Sequence, residues 1–149
     1  MATKRELQEA EDRAWTEFAE LVDPLTDAEL ETPGYSPEWS AKDLVAHIGC
    51  WQAEAGRQLQ RIANGTYEPW DRDVDETNAE FFSATHDLPA GTVRAECHAA
   101  RTQLLRAFDA LPEVTPEAAE WFEESAAGHC AEHLPRLREW VAELRGGGR

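Results

Sequence analysis

Apolar residues recur along this chain with a helical period, in four long amphipathic segments, and no stretch reads as a strand. From about Lys4 to Val22, Leu7, Ala14, Phe18, Leu21 and Leu25 step by three, four and seven, which sets them on one helix face. Thr3-x-x-Glu6 is a capping-box pattern at its start and Pro24 marks its stop. A short connection carries a second capping signal, Thr26-x-x-Glu29, before Pro33, Gly34 and Pro37 break the chain. The second long helix begins near Ser40, where Ser40-x-x-Asp43 repeats the signal. Its apolar face is Leu44, Ile48, Trp51, Ala55, Leu59 and Ile62, and Asn64-Gly65 ends it as a left-handed cap.

Thr66 to Asp87 is the least regular stretch, a loop at Tyr67-Glu68-Pro69-Trp70 followed by a short helix over Asp75–Ala84. The third long helix starts between Pro89 and Thr92, carries Val93, Cys97, Leu104, Phe108 and Leu111, and stops at Pro112. Thr115-Pro116 opens the last helical region, with threonine as N-cap and proline at the first helical position. That region carries Phe122, Ala126, His129, His133, Leu137, Trp140 and Leu144, with Pro135 inside the pattern at a point where a kink can form. Residues 146–149 read as a frayed glycine-rich tail. The expectation is one all-α domain over residues 1–149, a four-helix bundle with a long crossover between helices two and three.

Composition narrows the function. A hydrophobic fraction of 42% with six tryptophans argues against disorder. No apolar run approaches the ~20 residues that cross a bilayer, and the N-terminus lacks the apolar core of a signal peptide, so the cytoplasm is the expected location. A formal charge of −16, with Lys4 and Lys42 as the only lysines, argues against nucleic-acid and anionic-membrane partners. Three cysteines, Cys50, Cys97 and Cys130, make no disulfide framework and are read as reduced and partly buried.

The chemistry concentrates in the histidines. In the last helix His129, His133, Leu137, Trp140 and Leu144 step by four, four, three and four, so both imidazoles lie on the buried stripe one turn apart. His47 shares a face with Leu44, Ile48 and Trp51 on the second helix. A buried imidazole requires a hydrogen bond or a metal. Three of them converging from two helices suit Zn²⁺, Ni²⁺, Fe²⁺ or Mn²⁺ with positions left open; the plainer reading is hydrogen-bonded core histidines. His129-Cys130-Ala131-Glu132-His133 also fits the inverted zinc-protease pattern H-x-x-E-H. Glu132 falls about 100° off the histidine face, however, which points it to solvent or a second layer around the ion.

Two segments carry a family resemblance: Trp39-Ser40-Ala41-Lys42-Asp43-Leu44-Val45-Ala46-His47-Ile48 with Trp51, and Gly128-His129-Cys130-Ala131-Glu132-His133-Leu134 with Trp140, Asn78 lying in the crossover between them. The sequence resembles the DinB/YfiT-like metal-binding four-helix bundles, nearest to the N-terminal domain of mycothiol-dependent maleylpyruvate isomerase and to the ClbS/DfsB group. The resemblance implies a divalent ion on His47, His129 and His133. It also implies thiol-dependent transfer or isomerisation, metal-dependent hydrolysis, or neutralisation of a reactive natural product. No second domain is expected after the bundle, and His129 stands where the isomerase has a carboxylate ligand, so isomerase activity itself is not expected.

The leading expectation is a metal-dependent enzyme that activates water or a low-molecular-weight thiol against a small electrophile. The alternative is a protein that sequesters such a compound without turnover. Glu54, two turns beyond His47, is a candidate general base and otherwise a solvated carboxylate. Asn78 is a candidate cofactor-binding residue through the resemblance alone. Cys50 and Cys130 adjoin the histidines in sequence but read better as packing residues. His86 and His98 are read as exposed, and Trp39, Trp51, Trp70 and Trp121 as core and pocket wall. A homodimer is expected from the pairing habit of such bundles.

Overall fold

The computed structural model describes residues 2–146. The chain there is helical throughout, in the order α1 (Lys4–Val22), α2 (Asp27–Glu31), α3 (Ala41–Asn64), α4 (Val74–Thr85), α5 (Ala90–Asp109), α6 (Pro116–Ser125) and α7 (Ala127–Gly146). The four long segments of the hydrophobic pattern are α1, α3, α5 and the α6–α7 pair, with α4 in the crossover. The main pairings are α3 against α5 and α1 against α7.

Local chemistry sets the helix starts. Thr3, Thr26 and Ser40 each accept a hydrogen bond from the backbone N–H three residues on, and the carboxylates of Glu6, Glu29 and Asp43 accept one from the cap backbone N–H. Asp73 caps α4 and Thr115 caps α6, with Pro116 following. Gly65, at φ 74°, closes α3 in the left-handed conformation expected of it.

Three features differ from the expectation. The last bundle helix is broken at Ala126 (φ −114°, ψ −94°), nine residues before Pro135, which sits within α7 on its exposed side. The reason lies at Gly128, where a Cβ would come to 2.9 Å of the Glu123 carbonyl oxygen; the chain folds back too tightly there for a side chain. Gly146 is the last residue of α7 rather than part of a tail, and residues 147–149 lie outside the described part of the chain.

The third difference is in α3. Its first residues, Ala41 to Gly49, are buried without exception, where one apolar face was expected. The end of the crossover supplies part of the extra cover. The buried Lys42 Nζ donates to the carbonyls of His86 (2.7 Å) and Leu88 (2.8 Å), and Asp43 Oδ1 lies 3.0 Å from His86 Nδ1. On the α5 side Gly49 allows close approach, since a Cβ there would stand 3.1 Å from the Cys97 Cα.

The core forms two apolar clusters. One holds Phe18, Leu44, Ile48, Cys97, Cys130, Leu137 and Trp140; the other holds Leu7, Ala55, Leu59, Leu104, Phe108 and Phe122. Along each long helix a polar residue falls between members of the two: Glu11, Gln52, Arg101 and Ser125. Glu11 is 2% exposed and accepts from Arg101 Nε (3.0 Å) and Nη2 (2.6 Å), while the guanidinium lies 4.8 Å from the Trp15 ring centre. No helix among the described residues is long and apolar enough to cross a membrane.

Candidate metal centre

The long first half of α3 and the first two turns of α7 bring the histidines together. His47 projects from α3, and His129 and His133 from α7 on the same stripe. The break at Ala126 places His129 in the first turn of the new helix. The ring centres are 4.7 Å (His47–His129), 4.9 Å (His129–His133) and 5.4 Å (His47–His133) apart. One nitrogen from each ring lies within 4.8 Å of the others, so the cluster could hold a metal ion. His47 Nε2 and His129 Nε2 are 2.9 Å apart, at hydrogen-bond distance.

Burial keeps these rings neutral. It pulls the pKa of His47 down to about 4, with help from His133, and that of His129 to about 3, with help from both neighbours. His133 is lowered by burial too, while the charge of Glu132 acts in the opposite direction. Neutral imidazoles present the lone pairs that a divalent ion requires. Tetrahedral binding at about 2.0–2.1 Å from each nitrogen sets the nitrogens roughly 3.3 Å from one another, a small adjustment from the spacing here. The donor set therefore fits a divalent ion. The Nδ1 atoms of His47 and His129 are buried with no protein hydrogen-bond partner. Ring orientation rests on packing instead: Trp39, held by the 33–40 loop, lies 4.9 Å from the His47 ring at 52°.

The cluster opens on a cavity of about 720 Å³. Trp39, Trp51, Trp70 and Trp121 all line it, as expected of a pocket wall. Trp51 Nε1 donates to Asn78 Oδ1 (2.7 Å), which places Asn78 in the wall as a support for that indole. Glu132 is exposed, as its direction on the helix requires, yet borders the same cavity. Glu54 does not line it; its carboxylate accepts from Arg57 (3.1 Å) and Gln58 (2.9 Å).

The cysteines lie elsewhere. Cys50 faces α5 beside Cys97 and Glu96, and Cys130 is buried in the first core cluster. Burial raises the pKa of the Cys50 thiol, and raises those of Cys97 and Cys130 to about 12. His86 and His98 are exposed, with His86 stacked on Phe82 at 4.5 Å. Sequence reasoning missed Tyr67, whose hydroxyl accepts from Trp121 Nε1 (3.2 Å), and Glu120 and Glu124, one turn apart on α6 at the cavity edge. The only signal for the glutamates was their helical spacing beside Trp121; nothing local marks the contact between the 67–70 loop and α6.

Residues 12–144 match the family described as the mycothiol maleylpyruvate isomerase N-terminal domain. The chain belongs to this family. It is the DinB-like group that the histidine motifs resemble, and the match spans both motif segments. Among solved structures, an uncharacterised protein from Escherichia coli UTI89 is similar at a TM-score of 0.80 and 17% identity, over 96% of this chain and 95% of that one, a likeness of fold. No curated protein matches.

Proposed function

We propose that this member of the mycothiol maleylpyruvate isomerase N-terminal domain family is a metal-dependent enzyme, in which His47, His129 and His133 hold one divalent ion that acts on a small electrophile. The observation that carries the reading is the position of the three rings: they converge from two helices onto one wall of the cavity, so an ion held by them would have positions facing the cavity. Zinc, nickel, iron or manganese is compatible with three imidazoles. When bound, such an ion lowers the pKa of a coordinated water or thiol and supplies a nucleophile near neutral pH.

The chain's own residues do the rest. Burial holds the imidazoles neutral, and Trp39 fixes the His47 ring. The aromatic wall binds the apolar part of the substrate and keeps water from it. Asn78 locks Trp51 in place, so the wall is formed before substrate arrives. The family's name couples this domain to mycothiol, which favours a low-molecular-weight thiol as co-substrate over water. Three free cysteines suit a reducing cytoplasm.

Metal analysis of tag-free protein, followed by a screen of thiols against small electrophiles, tests this reading. About one ion per chain and thiol transfer or hydrolysis abolished by chelation are expected. Binding of electrophiles with no turnover on any thiol or water would leave sequestration as the function.

A further inference from the structure

The charges around the cavity say which molecules it accepts. Among the described residues no lysine or arginine lines it, while Glu120, Glu124 and Glu132 do. None of these three takes part in an ion pair among the described residues. Arg72, whose guanidinium lies 5.8 Å from the Trp70 ring centre, is engaged by Glu80 at 2.6 Å and does not line the cavity. An anionic ligand entering the cavity therefore meets unpaired carboxylates and finds no side-chain cation among the lining residues.

The wall adds a second, independent observation. Trp51, Trp70 and Trp121 form a run of rings with centres 5.8 Å and 5.6 Å apart. Two of the indoles are tied by their N–H groups, Trp51 to Asn78 and Trp121 to Tyr67, so their faces are presented in fixed orientation. Val74, at 51%, is the exposed large hydrophobic residue of the described chain, and it borders this cavity. His47, nine-tenths buried, reaches the same space and has an unpartnered Nδ1. Indole faces attract flat apolar groups, and they attract cations through the negative face of the ring.

We infer that the cavity is selective for a flat apolar molecule carrying a positive charge, a protonated amine or a quaternary ammonium group. Its ring system lies among Trp51, Trp70 and Trp121, and its cation faces Glu120 and Glu124. This deepens the enzymatic reading by naming the substrate class of the same site. By the same charges, thiols bearing free carboxylates are disfavoured as co-substrates relative to uncharged ones.

Tryptamine and indole-3-acetate share a ring and differ in the sign of their charge, so they serve as probes. Their binding is measured by calorimetry on metal-free protein, where a carboxylate cannot gain affinity by reaching an ion, and again after zinc loading. Tryptamine is expected to bind roughly tenfold more tightly than indole-3-acetate at low salt, with the gap closing as salt screens the rim. The double variant Glu120→Gln/Glu124→Gln is expected to lose most of the gap. Equal or tighter binding of indole-3-acetate to the metal-free protein overturns the inference. So does a gap unchanged in the double variant, because the preference would then come from the overall charge of −16. Either failure leaves metal binding by the histidines as it was. Absence of bound metal with the charge preference intact would sink the enzymatic reading alone.

Discussion

Two of the polar groups that enter the core of this bundle are built in opposite ways. Glu11 and Arg101 form a closed pair: a buried carboxylate takes two hydrogen bonds from one guanidinium, which itself lies over Trp15. The three histidines form an open set, with two Nδ1 atoms left without protein partners, two Nε2 atoms facing one another, and a cavity on one side. A satisfied buried pair is a structural device whose parts depend on each other. A set of neutral donors short of partners, facing a cavity, is a place for something else to bind. The comparison teaches that burial alone does not mark function; the state of the partners does.

The comparison breaks first at the metal. His133→Ala should reduce the ion content from about one per chain to near zero, measured by elemental analysis, while Arg101→Met leaves it unchanged. Equal metal in wild type and in alanine variants of His47, His129 and His133 would remove the distinction between the two sites.

The converse change concerns stability. Arg101→Met leaves Glu11 buried without its partner, which costs about 3 kcal/mol and lowers Tm by roughly ten degrees in a chain of this size. A loss below about 1 kcal/mol in urea titration would mean that the Glu11 carboxylate reaches water once the guanidinium is gone.

A third effect is sharper in pH than in size. Burial sets the pKa of His47 to about 4 and that of His129 to about 3, below the ordinary histidine value near 6.5. As pH falls below about 6.5 the unfolded chain takes up protons on these rings before the folded chain does, so folded metal-free protein loses stability between about pH 6.5 and pH 4. Denaturant midpoints across that window should fall for metal-free wild type and fall less for His47→Gln. A flat profile would place the rings in contact with solvent.

The smallest effect belongs to Glu132. As an exposed residue at the cavity edge, Glu132→Gln should change stability by less than roughly 0.5 kcal/mol and keep the metal. Loss of all turnover with metal retained would instead make it the base of an inverted zinc-protease-like site.

The sequence made visible what is local or periodic. The capping boxes at Thr3, Thr26 and Ser40 form, the crossover helix Val74–Thr85 lies within one residue of Asp75–Ala84 at each end, and the three histidines were named from helical spacing. What stayed hidden depends on residues far apart in the chain. Glu11 and Arg101 carry no local sign of their pairing, being 90 positions apart. The complete burial of Ala41–Gly49 comes partly from the crossover returning onto α3, which no period reports. The break at Ala126 arises from the close approach of Gly128 to the Glu123 carbonyl, whereas Pro135, the visible breaker, faces outward and leaves its helix in one piece.

That break divides labour along one stretch of chain. α6 carries Trp121, Glu120 and Glu124 to the cavity edge, while α7 carries His129 and His133 to its floor. In an unbroken helix, any substitution that tilted the edge would swing the floor with it, as one rigid rod. Jointed at Ala126, the two pieces are adjustable separately. Changes at the cavity-facing positions of α6 can retune what enters while the imidazoles keep their places, and this gives the scaffold a way to diversify its substrates by altering a few residues of one short helix.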